Sequence, residues 1–327
     1  MTSSTPTGDF MTDPIQAAFG SNQEPYAGIP SFMRRPATRD LTGIDFAVVG
    51  IPFDSGASHR SGTRFGPRKI REASMLLWGY NNPLKVRPLS VLNLIDYGDV
   101  YVVPPSITAT FENIEKEVSA LLEKNIGVLC LGGDHSVSLP LLRAHAKKFG
   151  PLSVVHFDSH PDTWDSEFGA AHPYSHGTPY RRALEEKLIK PEGYVQIGIR
   201  GSTSGDNDWN DAMGMGVRVI TMDEAALMGV PAVINTVHEL VSGPVYVSFD
   251  IDVADPAFAP GTGTPEVGGF TSHQLLQLVR GLKGLTLVGF DLVEVSPPYD
   301  HSDITAILAA NIAFEFLSLY AVQKRGG

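Results

Sequence analysis

From residue 44 onward, short apolar runs alternate with stretches of helical character, and this alternation limits the fold more than any other feature of the chain. The runs are 45–51, 91–96, 126–131, 152–158, 194–199, 217–221, 244–250 and 285–291. Most are continuous rather than alternating in polarity, as expected of strands covered on both faces. Between them the clearest helix is 107–124, where Ile107, Phe111, Ile114, Val118, Leu121 and Leu122 form one apolar stripe. Further helices are predicted near 67–77, 137–148, 178–189, 231–241, 271–282 and 303–322. Strand–helix alternation on this scale implies an α/β fold: a single domain over 26–327 with a central, mostly parallel, roughly eight-stranded sheet flanked by helices. Residues 1–25 are polar and read as a flexible N-terminal arm.

Charge and cysteine usage narrow the partners. The chain carries 36 acidic and 25 basic side chains, a net charge of −11. That balance argues against nucleic acid, which favours a basic face, and is compatible with a small cationic substrate. A single cysteine, Cys130, allows no internal disulfide and fits a reducing cytoplasm. Its place in the run IGVLCLGG marks it as a small buried hydrophobe rather than a reactive thiol. No apolar stretch is expected to reach the ~20 residues that span a bilayer, and the first 24 residues lack the basic and apolar regions of a secretory signal. The expectation is a cytoplasmic protein with no membrane partner.

Acidic and histidine residues gather where strands end: Asp134 and His135; Asp158, His160 and Asp162; Asp250 and Asp252; Asp291 and Glu294. In open parallel sheets, ligands bind beyond the carboxyl ends of the strands, so these groups should converge on one edge. In extended chain, side chains two apart face the same way, which would align Asp158, His160 and Asp162, and likewise Asp250 and Asp252. His135 follows two glycines that would permit a tight turn. Together these are two imidazoles and four carboxylates, a hard donor set sufficient for two divalent ions. A lone D-x-D at a strand end often only caps a loop. Three such clusters at strand ends have no simple structural explanation, because carboxylates crowded without cations cost stability.

With these residues in view, the chain closely resembles the ureohydrolase family of arginase and agmatinase, and its agmatinase-type branch in particular. The matching stretches are GGDHS (132–136), FDSHPD (157–162) and SFDIDVADPAFAPGTGTPEVGG (248–269), with YAGIPSFMR (26–34), GIPFDSG (50–56), SGTRFGPRKIRE (61–72), SHGTPYRRA (175–183) and VEVSPPYDH (293–301) outside the metal motifs. One departure is Ser159, where the family usually has alanine. The resemblance implies an arginase-like fold and a binuclear site. His135, Asp158, Asp162 and Asp250 would bind one ion, and Asp158, His160, Asp250 and Asp252 the other. Manganese is the usual metal and nickel the alternative. It also implies a homotrimer or homohexamer.

The implied reaction is hydrolysis of a guanidino compound to urea and an amine. A guanidinium carbon is a poor electrophile, and two divalent ions lower the pKa of a shared water enough to attack it. Glu294 would hold the guanidinium through paired N–H groups. Asp162 would pass a proton to the leaving nitrogen, and His176 would shuttle protons to solvent. His172, four residues from His176, could share that role, and His301 lies in a family-like loop. His156 reads as a packed histidine behind the ligands, and Asp134 as an orienting or capping group. The loop 163–176 should line the mouth. Its Trp164 and Asp165, with Glu167, Phe168 and Tyr174, suit the cationic tail of agmatine, giving putrescine and urea. Arg181 and Arg182 could instead receive a guanidino acid such as 4-guanidinobutyrate or 3-guanidinopropionate. Free guanidine and substituted biguanides are further alternatives. A single-zinc deacetylase and a non-catalytic subunit of a mixed oligomer are the readings from other classes.

Overall fold

The computed structural model describes residues 25–326 apart from 204 and 206. The arm expected over 1–25 therefore lies outside the described residues except for Pro25. Eight strands form one sheet: β1 (Phe46–Gly50), β2 (Leu94–Asp99), β3 (Gly127–Leu131), β4 (Leu152–Phe157), β5 (Ile189–Ile199), β6 (Arg218–Thr221), β7 (Pro244–Asp250) and β8 (Thr286–Val293). Their spatial order is β2-β1-β3-β8-β7-β4-β5-β6, and every pairing is parallel. The sheet is thus wholly parallel.

Successive strand residues enter opposite layers of the core. Val48, Leu129, Val155 and Val247 pack on one side, and Val49, Cys130, Val154 and Tyr246 on the other. The helix Ile107–Glu123 covers the second layer with the stripe seen in the sequence, and Ser106 caps its start by accepting from Ala109 N–H. The helix Ser272–Gly281 begins with a capping box, Thr271 with Gln274.

Three expectations need correction. The helix predicted over 178–189 stops at Glu185, and β5 already begins at Ile189. Pro191 and Gly193 conceal that strand start, and a register shift against β4 accommodates them. Two short helices, Asn207–Gly214 and Met222–Met228, were not anticipated, because their brief spans carry no apolar stripe long enough to read. The helix Ile304–Gly326 is long and apolar enough to cross a membrane, contrary to the expectation that no stretch reaches that length. Within the fold it is a core helix, with 78% of its most apolar window buried.

Candidate functional site

The four central strands, β3, β8, β7 and β4, deliver the chemistry-bearing residues. The pairings Leu131–Leu292, Asp250–Val293 and Phe157–Phe249 bring their carboxyl ends level. The segments just beyond therefore meet: Asp134 and His135 after β3, Asp158 to Asp162 after β4, Asp250 to Asp252 at β7, and Glu294 after β8.

The local geometry differs from simple alternation. Beyond β4 the chain bends, and Asp162 adopts a left-handed backbone (φ 49°) that turns its carboxylate back toward Asp158. After β7 the chain enters a 3-10 turn, Ile251–Val253, and Asp250 Oδ1 caps it by accepting from Asp252 N–H (2.8 Å). The glycines before His135 are also needed for a different reason. Neither has a positive φ; instead, a Cβ on Gly133 would lie 1.7 Å from the Phe53 carbonyl oxygen. Close approach of the loop after β1 demands glycine there.

His135 Nδ1 lies 3.0 Å from Asp158 Oδ2, 3.0 Å from Asp162 Oδ2 and 3.1 Å from Asp250 Oδ2. Its other nitrogen is committed. Ser248 Oγ donates to Asp291 Oδ1 (2.5 Å), so it accepts from His135 Nε2–H at 3.0 Å. Nδ1 is then left with a bare lone pair facing three carboxylate oxygens, and it has no hydrogen-bond partner. Only a cation, a metal ion or a proton, satisfies such an arrangement. A second set adjoins it. His160 Nδ1 is 3.0 Å from Asp252 Oδ2 and 3.6 Å from Asp158 Oδ1, and Asp252 Oδ2 is likewise buried without a hydrogen-bond partner. These nitrogens and oxygens fit two divalent ions in hard-donor surroundings.

His156 is near but already satisfied. Gln196 Nε2 donates to Tyr194 Oη (2.9 Å), Tyr194 donates to His156 Nδ1 (2.9 Å), and His156 Nε2–H then donates to Asp158 Oδ2 (2.7 Å). It orients Asp158 and has no lone pair to offer. Asp291, expected at the converging edge, lies within β8 and accepts from Ser138, Tyr246 and Ser248. Its role is to hold Ser248, and through it His135.

Glu294 also has a left-handed backbone (φ 63°) and is 2% exposed. Its Oε1 accepts from His135 N–H (2.8 Å) and faces His176 Nδ1 at 3.1 Å. Ser58 N–H and Oγ reach His176 Nε2 at 3.2 and 2.7 Å. Burial opposes charge on this imidazole, but the Glu294 hydrogen bond and charge push its pKa up to about 10. Burial and then the Asp158 charge push Asp162 up to about 7. Burial and then Glu294 do the same to Asp134, which ties the loop after β1 to this turn by accepting from Gly56 N–H (2.7 Å) and Ser136 N–H (3.0 Å).

A cavity opens onto these groups, lined by Asp162, Asp250, His160, His176, Trp164 and Glu167 together with Ser58 and Thr264. Of the residues expected to bind substrate, Trp164 and His176 line it and Glu294 contacts His176. Asp165 does not reach it. Its side chain is 72% exposed and is paired with Arg182 Nη2 at 2.8 Å, because the loop turns it outward. Arg181 is paired with Glu185, and Tyr174 packs on Phe111 instead of lining the mouth. His172 and His301 are exposed. Ser58 had no distinguishing signal in the sequence, and Thr264 only its place in the family-like stretch 248–269; a single hydroxyl residue in a loop looks like any other.

The family model described as "Arginase family" matches residues 44–318. The chain belongs to the arginase family. Its similarity to a guanidinopropionase from Pseudomonas aeruginosa is 47% identity over 90% of this chain and 93% of that protein. It is 42% identical to an agmatinase from Chromobacterium violaceum, covering 95% of each chain. The solved structure of proclavaminate amidinohydrolase from Streptomyces clavuligerus superposes with a TM-score of 0.88 at 45% identity, covering 92% of this chain and 99% of that one. This arginase-family chain is a hydrolase acting on C–N bonds of guanidino compounds. Family membership implies a binuclear divalent metal site, and the grouped histidines and aspartates provide a place for it.

Proposed function

We propose that the chain hydrolyses agmatine to putrescine and urea. The observation that carries the choice of tail is the cavity's lining outside the metal ligands: Glu167 and the ring of Trp164 are present there, and none of the described lining residues is Lys or Arg. Such a mouth favours a cationic tail over a carboxylate one. His135, Asp158, Asp162 and Asp250 are assigned to one ion, and Asp158, His160, Asp250 and Asp252 to the other. The hard donors suit manganese, with nickel as the alternative. Two such ions supply the Lewis acidity that makes water nucleophilic at neutral pH.

The chain's own residues do the rest. The Glu294 carboxylate receives guanidinium N–H groups, placing the carbon above the aspartates. His135 N–H holds Glu294 Oε1 in place for this (2.8 Å). The Asp162 carboxylate, beside His135 Nδ1 at 3.0 Å and lining the cavity, is assigned to accepting a proton and returning it to the leaving nitrogen. His176, 9% exposed and beside Glu294, is assigned to carrying protons between the cavity and solvent.

A second reading has its own support: the guanidinopropionase relative is named for a guanidino acid. Urea release distinguishes them. The metal-loaded chain is assayed on agmatine, 4-guanidinobutyrate, 3-guanidinopropionate, arginine, guanidine and dimethylbiguanide. Agmatine should give the highest kcat/KM, and Asp250→Ala should abolish urea formation. A higher value for either guanidino acid would transfer the assignment to that class.

A further inference from the structure

Ser159 stands between the ligand candidates Asp158 and His160, and its side chain is fully buried. Its hydroxyl donates to Asp252 Oδ1 at 2.7 Å, and its backbone N–H donates to the same oxygen at 3.0 Å. Two donors on one oxygen fix the plane of the carboxylate. They leave Asp252 Oδ2, the oxygen with no hydrogen-bond partner, aimed at His160 Nδ1 (3.0 Å). The hydroxyl also lies 3.1 Å from His160 Nδ1. It has one proton, and the shorter contact to a charged oxygen takes it. Its lone pair is therefore what faces His160.

We propose that Ser159 is a positioning residue for the second ion, holding Asp252 so that it presents Oδ2 alone beside His160. The inference rests on the binuclear reading above. An alanine at this position leaves Oδ1 with the backbone donor only, so the carboxylate can rotate and must be ordered when the ion binds. The first position is not affected, because Ser159 touches neither His135 nor Asp162 among the described contacts. Substitutions of this outer kind weaken metal binding by about 10- to 100-fold.

The test is titration of Mn(II) into the chelator-treated full-length chain by calorimetry, with metal content measured after gel filtration. Wild type should take two ions per chain. Ser159→Ala should keep the tighter one unchanged and bind the other about 10- to 100-fold more weakly. Ser159→Thr, which keeps the hydroxyl, should recover most of the loss. A general structural defect would weaken both ions and lower the melting temperature of the ion-free chain, so the split between the two affinities is the decisive readout. Should Ser159→Ala not fold, Ser159→Gly removes the same hydroxyl and is read in the same way. Two ions bound with unchanged affinities in the hydroxyl-free variant would overturn this inference alone. Fewer than two ions in wild type would overturn the binuclear reading as well.

Discussion

Glu294→Gln should separate catalysis from stability, and its effect on stability should depend on pH in a defined direction. Gln keeps an oxygen to accept from His135 N–H, now 2.8 Å from Oε1, but loses the charge. If the carboxylate holds two guanidinium N–H groups, each charge-assisted bond contributes ~1.5–3 kcal/mol, so kcat/KM should fall about 10²- to 10⁴-fold. The stability effect runs through His176. Burial favours its neutral ring, and Glu294, with smaller help from the Glu167 and Asp162 charges, outweighs burial to raise it from 6.5 to about 10. A histidine raised in this way adds stability that is fully present below 6.5 and is lost as pH rises through about 10. At ~1.4 kcal/mol per pH unit, the contribution is at most ~5 kcal/mol near pH 6 and falls below ~1 kcal/mol near pH 10. Asp134 acts in the same sense. Burial and then Glu294 hold it near 7, a penalty that grows as pH rises from 3.8 to about 7 and that the neutral side chain relieves in part. The variant should therefore melt well below wild type at pH 6 and converge with it by pH 10, both measured as chelator-treated protein. Urea release is assayed separately at pH 8. A stability deficit independent of pH would refute the His176–Glu294 coupling. A kcat/KM within a few-fold of wild type would remove Glu294 from the guanidinium site.

Three further outcomes are expected. Asp165→Asn should leave kcat and KM within about 2-fold of wild type, since the side chain points away from the cavity to Arg182; a raised KM would restore Asp165 to the mouth. Arg200→Met should cost on the order of 3 kcal/mol in urea unfolding, because this buried guanidinium donates to the carbonyls of Gly198, Asp252, Val253, Ala254, Glu266 and Val267 and orphans them when removed. Chelation should lower the melting temperature more at pH 8 than at pH 6. In the ion-free chain Asp162 titrates near 7 rather than 3.8, so that form loses stability as pH rises across this window while ion binding, which displaces the proton, strengthens. Equal losses at both pH values would contradict this.

The strands were legible because buried parallel strands are written as unbroken apolar runs, and Phe46–Gly50 and Gly127–Leu131 are fully buried along their length. The start of β5 was not, since Pro191 and Gly193 are the residues that normally mark a turn. The acids and histidines of the site were legible as chemistry: hard donors at strand ends have few other uses. The geometry that joins them was not. Alternation suggested that Asp158, His160 and Asp162 share a face, whereas a left-handed residue at Asp162 brings them together. The supporting polar network was only partly legible: His156 and Asp134 were read as supporting groups, but the partners of the site's histidines were not. Ser248 lies 113 residues from His135, and Tyr194 lies 38 from His156, each inside a strand that reads as apolar core. Nothing local distinguishes such a residue from its neighbours; only the sheet order makes it a partner.

Asp162 and Glu294 show why the site cannot be explained by folding alone. Each is an acid in the left-handed region, with φ 49° and 63°, which costs ~1–3 kcal/mol for a residue with a Cβ and is held only when the surroundings over-determine it. The surroundings do so. Glu294 N–H donates to the Gly133 carbonyl at 2.9 Å, and the Asp162 carbonyl accepts from Tyr180 N–H at 3.1 Å. Glycine would adopt both conformations without strain and would remove two buried carboxylates, one of them raised to about 7 by burial and Asp158. The backbone therefore favours glycine at both positions; electrostatics favours removing the acid only at Asp162, because Glu294 offsets its strain by supporting the charge on His176. An acid in each of these strained, buried positions accords with the roles proposed for them, holding cations for Asp162 and receiving a guanidinium for Glu294.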